Sequence, residues 1–105
     1  MDIAKKQKNH RAVADSLHYL GNVSLSMRQF HQARDYYQQA LEIKIEFGDR
    51  YSCARTYAGL GLLAQAEEKY VEVRANLQTA LEIYVEYQDE YMATVAREIL
   101  ESLPE

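Results

Sequence analysis

The sequence contains few of the residues that interrupt regular secondary structure. Proline occurs once, at position 104, and glycine occurs four times in 105 residues. Long stretches are instead rich in Ala, Leu, Glu, Gln, Arg and Tyr, most of which are favourable in helices. The composition therefore predicts helix throughout the chain and no strands.

Cysteine and long apolar runs are also scarce. Cys53 has no second cysteine with which to form an internal disulfide, as is typical of proteins in a reducing compartment. No apolar run approaches the ~20 residues of a membrane span, and the stretch from Met1 to Arg11 lacks the apolar centre of a signal peptide. We therefore expect a soluble, cytoplasmic protein that has no membrane partner.

An excess of basic charge is missing as well. Sixteen acidic residues against twelve basic residues give a net charge of −4, and the charges are spread along the chain without blocks. Proteins that bind nucleic acid usually carry a basic patch, so we do not expect nucleic acid as a partner. The length fits a single domain, predicted over residues 1–105.

What the sequence does contain is an internal repeat. The stretches ALEIKIEFGDR and ALEIYVEYQDE begin at Ala40 and Ala80, an offset of 40 residues. The same offset aligns Asp49 with Asp89. A fixed period of this length is typical of repeat proteins. We place a first repeat at about 9–48, a second repeat at about 49–88 and a terminal helix at about 90–102.

Apolar residues within each repeat recur three or four positions apart, which is the period of an amphipathic helix. In the first repeat two such series run through residues 13–27 and 33–41. Asn9, Asp49 and Asp89 are each predicted as an N-cap, because such side chains accept hydrogen bonds from first-turn amides. The expected helices span about 10–27, 30–46, 50–66, 69–86 and 90–102.

The second helix of the first repeat carries apolar residues on two faces. Tyr37 and Leu41 lie on one face, and Tyr36, Ala40 and Ile43 lie on the other. Such a helix needs a partner on each side, namely its own first helix and the first helix of the next repeat. Repeated along the chain, this arrangement forms a solenoid.

The order of small and large residues resembles the tetratricopeptide repeat pattern. In the first repeat the residues that carry this resemblance are Leu17-x2-Leu20-Gly21, then Ala33-x3-Tyr37, then Ala40. In the second repeat they are Tyr57-x2-Leu60-Gly61, then Leu77 and Ala80, with Val73 in place of the first small residue. The unit of 40 residues is similar to the longer repeats of kinesin light chains and of bacterial STAND-type ATPases.

The resemblance implies both a fold and a function. The fold is an all-α, right-handed α-solenoid of antiparallel helix pairs. The function is a non-catalytic protein–protein interaction module that needs no cofactor and holds a peptide or a partner protein in a concave groove. In such repeats the first helix of each pair lines the groove. Carried onto this sequence, the groove candidates are Asp15, His18, Asn22, Leu25, Arg55, Ala58, Leu62 and Gln65.

These candidates mix polar and apolar side chains. Asn22 and Arg55 are of the types that grip a C-terminal carboxylate in some family members. Asp15, in contrast, would repel an acidic tail. We therefore expect a mixed polar and apolar partner surface in place of a carboxylate clamp.

No catalytic or metal-binding residue is predicted. His10, His18 and His31 are spaced so that no two share a helical face at i and i+4, and we expect them to be solvent-exposed. Cys53 occupies an apolar repeat position, so we expect a buried thiol. The repeated tyrosines are expected in the core. A nucleophile with its base and a glycine-rich phosphate loop are both missing, so we do not expect an enzyme.

The alternative function is structural: a spacer or an oligomerisation segment excised from a larger repeat-containing signalling protein. Two observations favour it. The stretch from Met92 to Leu103 forms a broad apolar arc, and the N-terminus begins without an obvious polar capping helix. A homodimer through exposed terminal helices is therefore a further expectation.

Overall fold

The computed structural model describes the backbone of residues 3–104 and the side chains of residues 9–104. The ends of the predicted domain, residues 1–2 and 105, lie outside this range. The helices are α1 (Ile3–Ser26), α2 (Phe30–Glu46), α3 (Arg50–Ala66), α4 (Tyr70–Glu86) and α5 (Glu90–Glu101). Residues 3–104 contain no strand. The predicted all-α class is confirmed, and the bounds of α2 to α5 agree with the predicted ones to within one residue.

The helix starts were predicted with mixed success. The carboxylates of Asp49 and Asp89 accept hydrogen bonds from the amides of Ser52, at 3.3 Å, and Met92, at 3.1 Å, so both N-caps are confirmed. The N-cap predicted at Asn9 is wrong, because Asn9 lies inside α1. The residues just before Asn9 are mostly Lys, Gln and Ala, which are good helix formers, so nothing ends the helix there.

The four turns that join the helices share one geometry. Each has one residue in the left-handed region, with φ between 59° and 69°: Arg28, Gly48, Glu68 and Gln88. The amide of the following residue then donates to a carbonyl five positions earlier, as Asp49 does to Lys44 at 2.9 Å. This is the Schellman motif, which satisfies the last carbonyls of a helix. The four turns have the same geometry and are equally spaced along the chain, so each turn reverses the chain in the same way.

The helices stack in the order of the chain. α2 contacts both α1 and α3, and α4 contacts both α3 and α5. The second helix of each repeat is therefore covered on two sides, as its two apolar faces predict. α1 also contacts α3 directly, which places the first helices of the two repeats side by side. The described residues thus form the expected helical repeat solenoid.

Close packing inside each helix pair depends on glycine. A Cβ atom at Gly21 would lie 2.7 Å from the ring of Tyr37, and one at Gly61 would lie 2.9 Å from Cγ of Leu77. Both distances are too short for carbon atoms in contact. The glycines therefore allow the paired helices to approach, with Tyr37 and Leu77 filling the space beside them.

Candidate functional site

The eight groove candidates lie on α1 and α3 in two matching rows. Each candidate on α1 stands 40 residues before one on α3. The pairs are Asp15 with Arg55, His18 with Ala58, Asn22 with Leu62, and Leu25 with Gln65. Direct contact between α1 and α3 brings the two helices together. We call the area formed by these eight residues the α1/α3 surface.

The polar part of this surface surrounds an open depression of about 280 Å³. Its lining residues come from α1, the α2–α3 turn and α3, and they are Arg11, Asp15, Asp49, Tyr51, Ser52 and Arg55. Two groove candidates of opposite charge, Asp15 and Arg55, are therefore brought to one site. Nε of Arg11 lies 3.6 Å from Oδ2 of Asp49, so two of the residues that line the depression form an ion pair.

Lys44 of α2 contacts Ser52, which lines the depression, and was not predicted as part of the site. Only 3% of Lys44 is exposed. Its ammonium donates hydrogen bonds to Oγ1 of Thr56, at 2.9 Å, and to the carbonyl of Ser52, at 3.3 Å. Lys44 also lines a cavity of about 90 Å³ together with Arg11, Asp15 and Asp49. Burial lowers the pKa of Lys44, although the negative charge of Asp15 acts in the opposite direction.

His18 is buried, with 7% of its surface exposed. Nδ1 of His18 lies 3.3 Å from Oγ1 of Thr56, and its ring centroid lies 5.5 Å from that of Tyr37. Burial lowers the pKa of His18 to about 4, and the positive charges of Lys44 and Arg55 add to the effect. His18 is therefore neutral at pH 7, and it is a buried neighbour of Thr56 and Tyr37. The expectation that it is solvent-exposed is wrong.

The remaining candidates extend the surface along the helices. Asn22 is exposed, and its Oδ1 accepts a hydrogen bond from the hydroxyl of Tyr37 at 2.6 Å. Leu62 is 43% exposed, while Leu25 is half-buried against the cluster that contains Tyr37. The α1/α3 surface thus has a charged part at the depression and a more apolar part further along.

Two other predictions concern buried side chains. Cys53 is 5% exposed, and burial raises the pKa of its thiol, so the expected structural thiol is confirmed. Among the tyrosines, Tyr37 and Tyr84 are fully buried, as expected. Tyr87 is not, since 48% of it is exposed.

The burial of Lys44 had a signal in the sequence. Lys44 continues the series Ala33, Tyr37 and Ala40 with spacings of four, three and four, and those three residues are all fully buried. The helical period therefore predicts burial at position 44 whatever residue stands there. Its acceptors, Thr56 and Ser52, are on α3 and could not be assigned without the packing of the two helices.

The arrangement offers charged groups, hydrogen-bond donors and acceptors, and apolar contacts for non-covalent binding. Among the described side chains, no group of three His, Cys, Asp or Glu residues is placed to hold a metal ion. None of the helices described is long and apolar enough to cross a membrane.

The comparisons with known proteins give one match. A family model described as "Tetratricopeptide repeat" matches residues 12–86. This range contains all eight groove candidates, the part of α1 from residue 12 onwards, and α2, α3 and α4. The comparisons with curated proteins and with solved structures gave no match.

Proposed function

Since the chain belongs to the tetratricopeptide repeat family, whose repeats generally mediate protein–protein interaction, we propose that it binds a peptide or a partner protein along the α1/α3 surface. The family is typically non-catalytic, and we propose the same of this chain. Its action is then recognition by a preformed surface.

The observation that carries the proposal is the depression between α1 and α3. Asp15 and Arg55 line it. Lys44, whose ammonium is held by Thr56 and Ser52, lines a neighbouring cavity that also contains Asp15. These side chains project from packed helices, so the backbone positions that carry them are fixed before a ligand binds. A preorganised surface of this kind binds more tightly than a flexible one with the same contacts.

The chemistry of the surface indicates the ligand class. The depression presents both cations and carboxylates, so a group that is donor and acceptor at once, such as a peptide backbone or an amide side chain, fits it better than a bare carboxylate. Leu25 and Leu62 offer apolar contacts further along. We therefore propose that the ligand is an extended segment. One polar residue of the ligand lies at the depression. One apolar residue of the ligand lies beside Leu25, which is about ten positions further along α1 and so roughly 15 Å away.

The test is selection of binding peptides from a displayed random library with the full chain, followed by calorimetric titration of the selected peptide. We expect Arg55→Ala and Leu62→Ala each to weaken binding about tenfold or more, as for interface anchors. Gln78→Ala on α4, which is exposed outside the α1/α3 surface, is the matched control. Asn22 is not used, because its removal would leave the hydroxyl of Tyr37 without its acceptor.

Two results would contradict the proposal. One is a library that yields no enriched peptide. The other is a peptide whose affinity is unchanged in both Arg55→Ala and Leu62→Ala while both variants keep the helicity of the wild type. In the second case the binding surface lies elsewhere on the solenoid.

The second candidate function is the structural one, a spacer or oligomerisation segment. The observation that favours it is an uncovered face on α1 and the turn after it, where Val13, Tyr19 and Met27 are more than half exposed. If the function is structural, substitutions on the α1/α3 surface should leave the oligomeric state of the chain unchanged. The cytoplasmic location, the exclusion of nucleic acid and the single domain over residues 1–105 stay predictions.

A further inference from the structure

One face of α1 carries a regular apolar row that the described part of the chain leaves largely uncovered. We call it the α1 seam, and it consists of Val13, Ser16, Leu20 and Val23 of α1 and of Met27, the first residue after α1. The spacing of three, four, three and four residues is that of helices that pack lengthwise against each other. The exposed fractions are 51% for Val13, 40% for Leu20, 36% for Val23 and 62% for Met27.

The equivalent row on α3 shows what such a seam does in this protein. It lies 40 residues later and consists of Cys53, Thr56, Leu60, Leu63 and Glu67. Cys53 is 5% exposed, and Thr56 and Leu63 are fully buried. Leu60 and Leu63 pack with residues of α2, and Thr56 accepts a hydrogen bond from Lys44 of α2. On α3, therefore, the row is an interface with an antiparallel helix.

Among the described helices of a second copy, we take the α1 seam itself as the matching surface, for two reasons. α2 and α4 are each already packed between two helices. One face of α3 packs against α4. The equivalent positions on α5, 40 residues later, carry Thr94, Arg97, Glu98 and Glu101, and all four are exposed. A polar face of this kind ends a solenoid. The α1 seam of one copy is therefore matched in a second copy by the same seam.

The charge distribution permits this contact. From Ala12 to Met27, Asp15 is the one residue with a formal charge at pH 7, given that His18 is neutral. Asp15 lies at the depression and outside the α1 seam. Two chains with a net charge of −4 each repel one another at long range, but their seams meet without like charges.

We infer that the chain forms a homodimer in which the α1 seams of two copies pack antiparallel about a twofold axis near Leu20. This placement sets Leu20 against Leu20 of the second copy and Val13 against Met27. The antiparallel direction follows the one observed where α2 covers the row on α3. A twofold contact of a surface with itself closes, so assembly ends at the dimer.

The size of the contact sets the expected strength. Two helical seams of about sixteen residues bury roughly 1,000 Å² in total, near the lower limit for specific interfaces. A contact of this size is typical of weak association, so we expect the dimer to dissociate in the micromolar range. Since the contact is uncharged, raising the salt concentration should not weaken it. This inference goes beyond the proposed partner binding, because it uses a different face of α1.

The first test is sedimentation velocity of the full chain from about 1 to 200 µM, a range that brackets the expected dissociation constant. The sedimenting mass should rise from one chain towards two. Leu20→Glu should weaken the dimer more than tenfold, because it sets two carboxylates against each other at the axis. Val71→Glu on α4, where Val71 is 83% exposed, should dimerise like the wild type. A wild-type chain that stays monomeric throughout would overturn the inference and leave the seam to a different protein.

The second test is chemical and does not depend on the tolerance of α1 for a charge. Leu20→Cys should give a disulfide-linked dimer on mild oxidation, since the two residues 20 meet at the axis. Val71→Cys and the wild type, whose Cys53 is buried, should not. A dimer that persists in a folded Leu20→Glu chain, or Leu20→Cys that cross-links no faster than Val71→Cys, would show that the seam is not the interface.

Discussion

The solenoid contains two junctions at which a second helix meets the next first helix, α2 with α3 and α4 with α5. The backbone is the same at both. Each begins with a left-handed turn residue, Gly48 at φ 69° or Gln88 at φ 59°, and continues with an aspartate N-cap. The side chains that fill the two junctions differ in polarity and in size. The repeat therefore fixes the path of the chain without fixing the chemistry between helices.

Polarity differs most at one pair of equivalent positions. Lys44 at the first junction is 3% exposed, and Tyr84 at the second is fully buried. Lys44 finds two oxygen acceptors on α3, whereas Tyr84 packs among apolar residues that include Ala54 and Ala93. Within the described residues, the hydroxyl of Tyr84 has no hydrogen-bond partner. Burial is thus set by repeat position, and the neighbours decide which polar group is tolerated there.

Size differs at a second pair of equivalent contacts. At the first junction the ring of Tyr37 is so close to Gly59 that a Cβ atom there would lie 2.8 Å from Cε1. At the second junction the matching residues are Leu77 and Ile99, which pack in one cluster. One junction thus combines a large residue with a glycine, and the other combines two of intermediate size. Cores keep total volume more strictly than individual residues.

The largest expected effect comes from giving the second junction the cation of the first. Tyr84→Lys places an ammonium among apolar side chains without the oxygens that Thr56 and Ser52 supply to Lys44. An unpaired buried charge destabilises a protein by about 3–5 kcal/mol. We expect a loss of this size in the free energy of unfolding, measured by urea denaturation followed by circular dichroism.

Tyr84→Phe is the matched control for that substitution. It removes a hydroxyl that has no partner among the described residues, so stability should stay within about 1 kcal/mol of the wild type or rise. If Tyr84→Lys were as stable as Tyr84→Phe, the second junction would be able to solvate a charge, and the contrast between the junctions would not hold.

The next effect in size is a pH dependence confined to the first junction. His18 contacts Thr56 there, and its repeat equivalent, Ala58, does not titrate. The pKa of His18 is lowered to about 4 from 6.5. Above pH 6.5 both states are neutral, and the stability is fully present. As the pH falls, the unfolded chain binds a proton that the folded chain excludes, so stability falls between pH 6.5 and 4.

The expected loss from this histidine is about 2 kcal/mol between pH 7.5 and pH 5. Carboxylates also titrate near the lower limit, so the measurement is the difference between the wild type and His18→Gln, which keeps a hydrogen-bonding group beside Thr56. Urea denaturation at a series of pH values should give a difference that shrinks as the pH falls. A constant difference would mean that His18 is protonated in the folded protein.

The fold was predictable because its determinants are local. The helical period of apolar residues and the caps at Asp49 and Asp89 gave the helices to within a residue after α1. The N-cap predicted at Asn9 was wrong, because the capping preference of this residue competes with the helix-forming residues before it. Lys44 and His18 were missed for a different reason. The helical period indicates burial at position 44, but both side chains contact Thr56, which is 12 and 38 residues away, so the polar contacts that accompany their burial follow from packing between helices.

The candidate site stays a prediction. The resemblance to the tetratricopeptide repeat implied two rows of residues, and the structure places the helices that carry them, α1 and α3, in contact. The resemblance could not distinguish the exposed residues of these rows, such as Arg55, from the buried His18. The exposure of each residue depends on how α1 and α3 pack against α2. The ammonium of Lys44 belongs to α2, the second helix of its pair. The resemblance places groove residues on first helices only, so it could not indicate Lys44.

The smallest expected effect tests a difference in residue type between the junctions, at the residue in the left-handed turn. Nothing lies within 4 Å of a Cβ atom built at Gly48, so only the positive φ opposes a side chain there. Gly48→Gln should lower the free energy of unfolding by about 1 kcal/mol, and Gln88→Gly should raise it by up to the same amount. Thermal and urea denaturation measure both changes. The double exchange should return the chain to within about 0.5 kcal/mol of the wild type, because the two sites are separate. If the double exchange were far less stable, the turns would not be equivalent, and the side chain of Gln88 would be making a contact that glycine removes.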